Sequence, residues 1–418
     1  MDIEWLIGKN FVPLQKILAF ITMSRHLTLL LAAALMLTAC HKDKHDDEPQ
    51  QPATQSVLVY IAGDNNLQQF IIDDVKQMME GSKLLGKDCN LLLFVDQKGK
   101  LPYFMKLENG DTLRVKTLEE EVKSSNAETL RSAMKWMVDN YEARNYGLVL
   151  WGHADGWVVW QPSQSRPRRS YGQDTTGGEE WMNISEMADA LATLPHLRFI
   201  FADCCCFQCV ESAYELRHVT DYLIGSAAEI PGEGAPYQTV IPHLFDQRED
   251  FYTLVCDDYF EQVSVGYQEP VSVVKSSEMD QLAQATRAAL TQSLQPISEQ
   301  GENYPDVEGL IYYYDQTLFD MQDFMLSHAP EHVYTEWKRT FDKAVVYKKM
   351  AEVWLANHIP YLDKSETMFR DFNVTAERYG GISMFVPQNR YTTFIQRQNE
   401  RIKKMEWYSA AGLSQLGW

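Results

Sequence analysis

The chain has 418 residues, with 38 Lys and Arg against 58 Asp and Glu, a formal charge of −20, and a composition that is 45% hydrophobic and 12% aromatic. This supplies apolar material for more than one core at the usual domain size, so one long uninterrupted domain is not expected, and it excludes an intrinsically disordered chain. The negative field excludes nucleic acid as a partner, because no basic patch offsets it.

In chain order, the first feature is an address. Arg25 precedes a charge-free run from Leu27 to Ala39 that is too short to span a bilayer and ends Leu37-Thr38-Ala39-Cys40. Residues 1–39 therefore read as a secretory signal rather than a buried helix. Met23 has its own basic flank, so translation is expected to begin there. The ending resembles the bacterial lipobox, in which a Cys is acylated and becomes the mature N-terminus. That resemblance implies a lipid on Cys40 and an exported protein anchored in a bacterial membrane, the outer membrane, facing periplasm or surface. The stretch 40–55, polar and without apolar periodicity, then reads as a flexible tether.

Near-continuous apolar runs at 57–62, 90–95, 146–151, 197–202 and 222–226 predict strands covered on both faces, hence a buried parallel sheet. Helices are expected over 67–80, from a cap at Ser125 or Asn126 to 141, over 184–194 and over 210–217. The alternation is βαβ, which predicts an α/β fold over 56–270, a three-layer α/β/α sandwich with a mainly parallel sheet. Residues 101–117, centred on Asn109-Gly110, predict a hairpin after the second strand. From 271 to 418 the pattern becomes mainly helical, with helices over 278–294, 307–326 and 334–355 before a strand at 381–386. The aromatic residues Tyr312, Tyr313, Tyr314, Phe319 and Phe324 read as packing.

Chemistry gathers at the carboxyl ends of parallel strands. The third predicted strand runs into Trp151-Gly152-His153-Ala154-Asp155-Gly156-Trp157 and the fourth into Asp203-Cys204-Cys205-Cys206-Phe207-Gln208-Cys209. A thiol attacks as thiolate, and a neighbouring imidazole or helix N-terminus supplies the activation. A His and a Cys on neighbouring strand ends meet that need. The alternatives are a zinc site or a redox CxxC at Cys206 and Cys209. Zinc, on the four thiols and His153, fits poorly, since there is no second CxxC and consecutive cysteines on an extended strand cannot all face one ion, and a thioredoxin-type CxxC would sit at the start of a helix after the first strand of a small domain.

These segments, with Tyr60-Ile61-Ala62-Gly63-Asp64-Asn65-Asn66-Leu67, the Val210 to Leu216 helix, the Ser226 to Tyr237 loop and Gly380 to Pro387, resemble the clostripain family of cysteine peptidases. The resemblance implies a caspase-like fold and a cysteine-type endopeptidase with a Cys-His dyad. The histidine is then His153, and the nucleophile is the residue two after Asp203, Cys205. Cys204 stands where the family has Ala. Alternation along a strand puts 203 and 205 on one face, which favours Cys205 over its neighbours. The family prefers a basic residue before the scissile bond, so Asp203 is expected to bind substrate, with Glu229 and Glu233 as second candidates and capping of backbone amides as the competing role for Asp203. Backbone N–H groups of Gly152 and Cys205 are the expected oxyanion donors. No metal or cofactor is required. Some relatives respond to calcium, for which Asp64 or Glu179-Glu180 are candidates. The loop Ser165-Arg166-Pro167-Arg168-Arg169-Ser170 matches a position where family members are cut, often by themselves, so processing is expected after Arg168 or Arg169; a solvated basic loop is the plain alternative. A surface binding lipoprotein retaining the fold without turnover is the competing functional reading.

Overall fold

The computed structural model describes residues 51–159, 170–261, 268–314, 318–357, 367–371, 373–389 and 393–418. The expected signal, Cys40, Arg168 and Arg169 lie outside the described residues. Residues 52–418 form one compact unit.

A nine-stranded sheet organises it, in the order Val345–Lys349 (β12), Val271–Lys275 (β10), Thr220–Gly225 (β9), Leu197–Asp203 (β8), Ala143–Trp151 (β5), Ala53–Gly63 (β1), Cys89–Gln97 (β2), Lys100–Glu108 (β3) and Asp111–Thr117 (β4). Its centre is parallel: β9 (Thr220–Gly225), β8 (Leu197–Asp203), β5 (Ala143–Trp151), β1 (Ala53–Gly63) and β2 (Cys89–Gln97). Along β1, Leu58, Tyr60 and Ala62 enter one core, while Val57, Val59 and Ile61 enter the other. The period of two and burial on both faces explain why the sequence reads as an unbroken apolar run. Fully burying each larger side chain of this kind contributes about 1.5–3 kcal/mol.

Helices Ile71–Ser82, Tyr237–Leu244 and Phe251–Glu261 cover one face, and Ala127–Asn140, Ile184–Leu191 and Val210–Glu215 cover the other. This is the expected three-layer α/β/α sandwich. Asn126, not Ser125, caps its helix, its side chain accepting the Glu128 N–H at 2.8 Å. The hairpin pairs β3 (Lys100–Glu108) with β4 (Asp111–Thr117), and both turn residues, Asn109 and Gly110, have positive φ, as a tight hairpin turn demands.

The later region is helical at Met279–Ser293, Met321–His328, Glu331–Ala344, Thr393–Arg401 and Glu406–Ala410. It also extends the sheet, through β10 (Val271–Lys275) and β12 (Val345–Lys349), both antiparallel. A boundary at 270 thus falls immediately before a strand of the same sheet. The helix expected over 307–326 begins only at Met321. Asp320 caps it, accepting the Gln322 and Asp323 N–H groups at 2.8 and 3.0 Å, while its other oxygen takes the Tyr313 hydroxyl and the Gly380 N–H. The helix expected over 334–355 ends at Ala344, because the β-branched Val345 and Val346 complete the sheet edge instead. Tyr312, Tyr313, Phe319 and Phe324 are buried, as packing residues.

Candidate active site

The carboxyl ends of β1, β5 and β8 and the loop after β9 meet at one edge of the sheet. In the β5–β8 ladder Trp151 lies opposite Asp203. His153 and Cys205 each follow their register partner by two residues, so they leave the sheet on adjacent strand ends. Both line a cleft of about 240 Å³ with Leu67, Phe70, Asp203 and Glu229. Gly152 permits the turn into His153: its φ is +150°, and a Cβ there would sit 3.1 Å from the Ala62 carbonyl oxygen.

Cys206 holds φ at +57°. A left-handed conformation costs a non-glycine residue about 1–2 kcal/mol. Bonds from Cys206 N–H to Ala228 O at 2.9 Å and from Gln208 N–H to Ser226 O at 3.0 Å hold it there. The same segment is fastened from the C-terminal region, where Glu211 accepts the Phe385 N–H at 2.8 Å and Ser383 N–H bonds Gln208 O at 3.1 Å.

The Cys205 thiol donates to Ile230 O at 3.6 Å and accepts from Ile230 N–H at 3.4 Å. Burial pushes its pKa up, the Glu229 charge adds to the rise, and the Ile230 amide opposes it. Burial and the Glu229 charge thus favour the neutral thiol over the thiolate at rest. His153 Nε2 lies 2.7 Å from Asn66 Oδ1, and its ring is 6.2 Å from that of Trp181, centroid to centroid.

Asp203 makes the capping contacts that the sequence offered as its competing role. Its Oδ2 accepts the Ala235 N–H at 3.1 Å and the Tyr237 hydroxyl at 2.5 Å, which is the capping role. Its buried Oδ1 has no hydrogen-bond partner. Gly234 makes this fit possible, with φ at +62° and space so tight that a Cβ would lie 2.7 Å from Asp203 Oδ2. Burial raises Asp203 to about 6 against the Tyr237 and Ala235 bonds. Burial and then Asp155 raise Glu229 to about 7, and its Oε2 also lacks a partner. Asp74, which accepts Trp151 Nε1–H at 2.8 Å, rises to about 8 through burial and the Asp203 charge. No Lys or Arg is among the described lining residues.

The structure thus brings together His153, Cys205, Gly152, Asp203 and Glu229. Glu233 is exposed and does not line the cleft, whose wall there is made by Gly232 and Gly234. Cys204, Cys206 and Cys209 are buried in the core, and Cys209 donates to Ser212 Oγ at 3.0 Å. Asn66, Asp74, Ile230 and Tyr237 are site residues to which sequence reasoning gave no role. Asn66, Ile230 and Tyr237 lie in segments already singled out, and Asp74 beyond one of them, but their partners are remote in sequence.

Among the described residues, carboxylates rather than thiols converge: Asp64, Asp96 and Glu121 bring one oxygen each within 4.8 Å of the others. Asp96 is fully buried, and its Oδ1 has no partner. Burial raises it to about 7. Asp64 also accepts both Thr175 and Thr176 hydroxyls. Glu179 and Glu180 are engaged elsewhere, Glu179 with Gln173 at 2.9 Å and Glu180 with Lys123 at 2.8 Å.

The segments on either side of 160–169 are tied together. Ser170 Oγ donates to Val158 O at 2.7 Å, and Ala154 forms an antiparallel bridge with Tyr171.

A buried parallel sheet carrying a thiol and an imidazole on adjacent carboxyl ends, above an acidic cleft, is the architecture of a caspase-like cysteine peptidase. The family model for the clostripain family matches residues 59–410, and the chain belongs to that family. Clostripain of Hathewaya histolytica is 22% identical over 245 residues, which cover 49% of this chain and 46% of that protein, so the chain spans a little under half of its length. A secreted C11 cysteine protease from Bacteroides thetaiotaomicron, solved with an irreversible peptide inhibitor, superposes with a TM-score of 0.73 at 28% identity, over 87% of this chain and 99% of that one. An inactive zymogen C11 protease from Parabacteroides distasonis gives 0.69 at 28% identity, over 86% and 99%.

Proposed function

We propose that this protein is an exported, lipid-anchored cysteine endopeptidase that cleaves peptides after Arg or Lys. The observation that carries the reading is the shared cleft, where Cys205 and His153 stand beside the unpartnered buried oxygens of Asp203 and Glu229. A guanidinium or ammonium group seated on those oxygens places the following peptide bond at the sulfur. His153 takes the thiol proton, and Cys205 Sγ attacks the carbonyl carbon. The Gly152 and Cys205 backbone N–H groups receive the oxyanion. His153 then protonates the leaving amine, an acyl-enzyme forms, and water releases the acid product.

None of these steps uses a cofactor. The oxygen-only set of Asp64, Asp96 and Glu121 suits a hard cation such as calcium, with water completing its shell. The ion would supply charge neutralisation at the β1 and β2 ends and no chemical step. Self-cleavage after Arg168 or Arg169 would activate the enzyme, in keeping with the existence of a zymogen in the Parabacteroides relative. Export agrees with the secreted Bacteroides relative, and anchoring rests on Cys40. Among the described residues no helix is long and apolar enough to cross a membrane.

The test uses arginyl and lysyl reporter peptides with the wild type, Cys205→Ala and His153→Ala. Turnover by the wild type alone supports the reading, and equal rates in all three would sink it.

A further inference from the structure

We infer that Asn66 is the positioning residue of the catalytic histidine, completing a Cys205-His153-Asn66 arrangement. The inference rests on His153 acting as the acid and base. Asn66 Oδ1 lies 2.7 Å from His153 Nε2. An amide oxygen only accepts, so in the neutral ring Nε2 carries the proton and Nδ1 has the basic lone pair. The contact thus selects the tautomer and fixes the ring's rotation about its Cβ–Cγ bond.

Both ends of this contact are held rigidly. Asn65, the preceding residue, is buried and donates through Nδ2 to Ala62 O at 2.9 Å and to Gln173 O at 2.8 Å, while its Oδ1 accepts the Leu67 N–H at 2.9 Å. Those bonds tie the turn to the end of β1 and to the Tyr171–Asp174 strand, so Asn66 opens its short 3-10 helix from a fixed point. On the other side, His153 O accepts the Gly172 N–H at 2.8 Å, and Gly152 sets the approach of the loop to β1. Asn66 itself is exposed, and it is not among the residues lining the substrate cleft. Its effect therefore passes through the imidazole.

When His153 gains a second proton, Oδ1 still accepts from Nε2–H, so the ring keeps its orientation through both halves of the reaction. A carboxylate in place of the amide would accept the same proton and add a negative charge, raising the basicity of the imidazole. Asp203 and Glu229 in the cleft, and Asp155, whose charge acts on Glu229 and Cys205, are common to both versions, so the difference between them reports position 66.

The experiment compares wild type, Asn66→Ala and Asn66→Asp by steady-state kinetics, pH profile and the nitrogen NMR shifts of His153. Asn66→Ala should lower kcat by about 10- to 100-fold with little change in KM, the size expected when a reacting group is misoriented. It should also move the His153 shifts away from a pure Nε2–H tautomer while the melting temperature holds. Asn66→Asp should restore most of kcat and move the limb of the pH profile that reports His153 to higher pH. Wild-type kcat and unaltered His153 shifts in Asn66→Ala would overturn the inference. A wild type without turnover would count against the peptidase reading alone, and the nitrogen shifts would still decide whether Asn66 holds the ring.

Discussion

Tyr237 donates its hydroxyl to Asp203 Oδ2 at 2.5 Å, and this bond leaves Oδ1 as the oxygen without a partner. With Oδ2 taken by Tyr237 and Ala235, the proposed basic side chain of a substrate would meet Oδ1. Asp203→Asn keeps the shape and removes the charge. It should reduce kcat/KM for arginyl and lysyl peptides by about 2–5 kcal/mol, the cost of breaking a desolvated ion pair. Rates measured in parallel on a peptide with a neutral residue at that position should change far less.

Protonation of the same cleft should be visible in KM. Burial raises Asp203 to about 6, and burial with Asp155 raises Glu229 to about 7. Both groups are charged above those values and neutral below them. KM for a basic substrate should therefore rise as pH falls from above 7 to below 6, and a plot of KM against pH for wild type and Glu229→Gln should show the upper part of the rise only in the wild type.

The neutral resting thiol makes a separate prediction. A cation in the cleft offsets the Glu229 charge that helps to hold Cys205 protonated. Alkylation of Cys205 by iodoacetamide, followed by intact-protein mass spectrometry, should be slow in the free enzyme and faster with a small guanidinium compound too short to cover the sulfur. Uniform protection at every length and concentration would count against this.

Glu211 offers a stability test away from the cleft. It is fully buried, burial raises it to about 8 from an ordinary 4.5, and the Phe385 amide opposes the shift. The folded protein therefore binds this proton more tightly than the unfolded chain, so the group's contribution is fullest below about 4.5 and is lost as pH rises through about 8. Glu211→Gln removes that titration. Its melting temperature relative to wild type should climb between pH 5 and pH 9, and a constant difference would refute the assignment.

For the Asp64, Asp96 and Glu121 group, calcium should raise the melting temperature of the wild type and not that of Asp96→Asn. Ligand present at about 100 times its Kd contributes about 2.7 kcal/mol. Identical shifts in both proteins would place the ion elsewhere.

The parallel strands were legible because burial on both faces writes an unbroken apolar run, as in Val57 to Ala62. The hairpin was legible from Asn109-Gly110, whose backbone preference is local. β12 was not, because Val345 and Val346 continue the helical spacing of the residues before them, and only the exposed edge of β10 turns them into a strand. The Tyr171–Asp174 and Glu180–Met182 strands are too short and polar to show a period. His153 and Cys205 stood out because strand ends concentrate them. The contact between His153 and Asn66, separated by 87 residues, and the grip of Ile230 on the sulfur exist only after folding.

The tie between Val158 and Ser170 bears on what a cut within 160–169 can do. The new termini would emerge beside a base that stays closed, with β5 in one fragment and β8 in the other still zipped along their ladder. Scission should therefore yield a heterodimer without a covalent link: two bands in denaturing gels, one peak in native chromatography, and a register between Trp151 and Asp203 as sound as before.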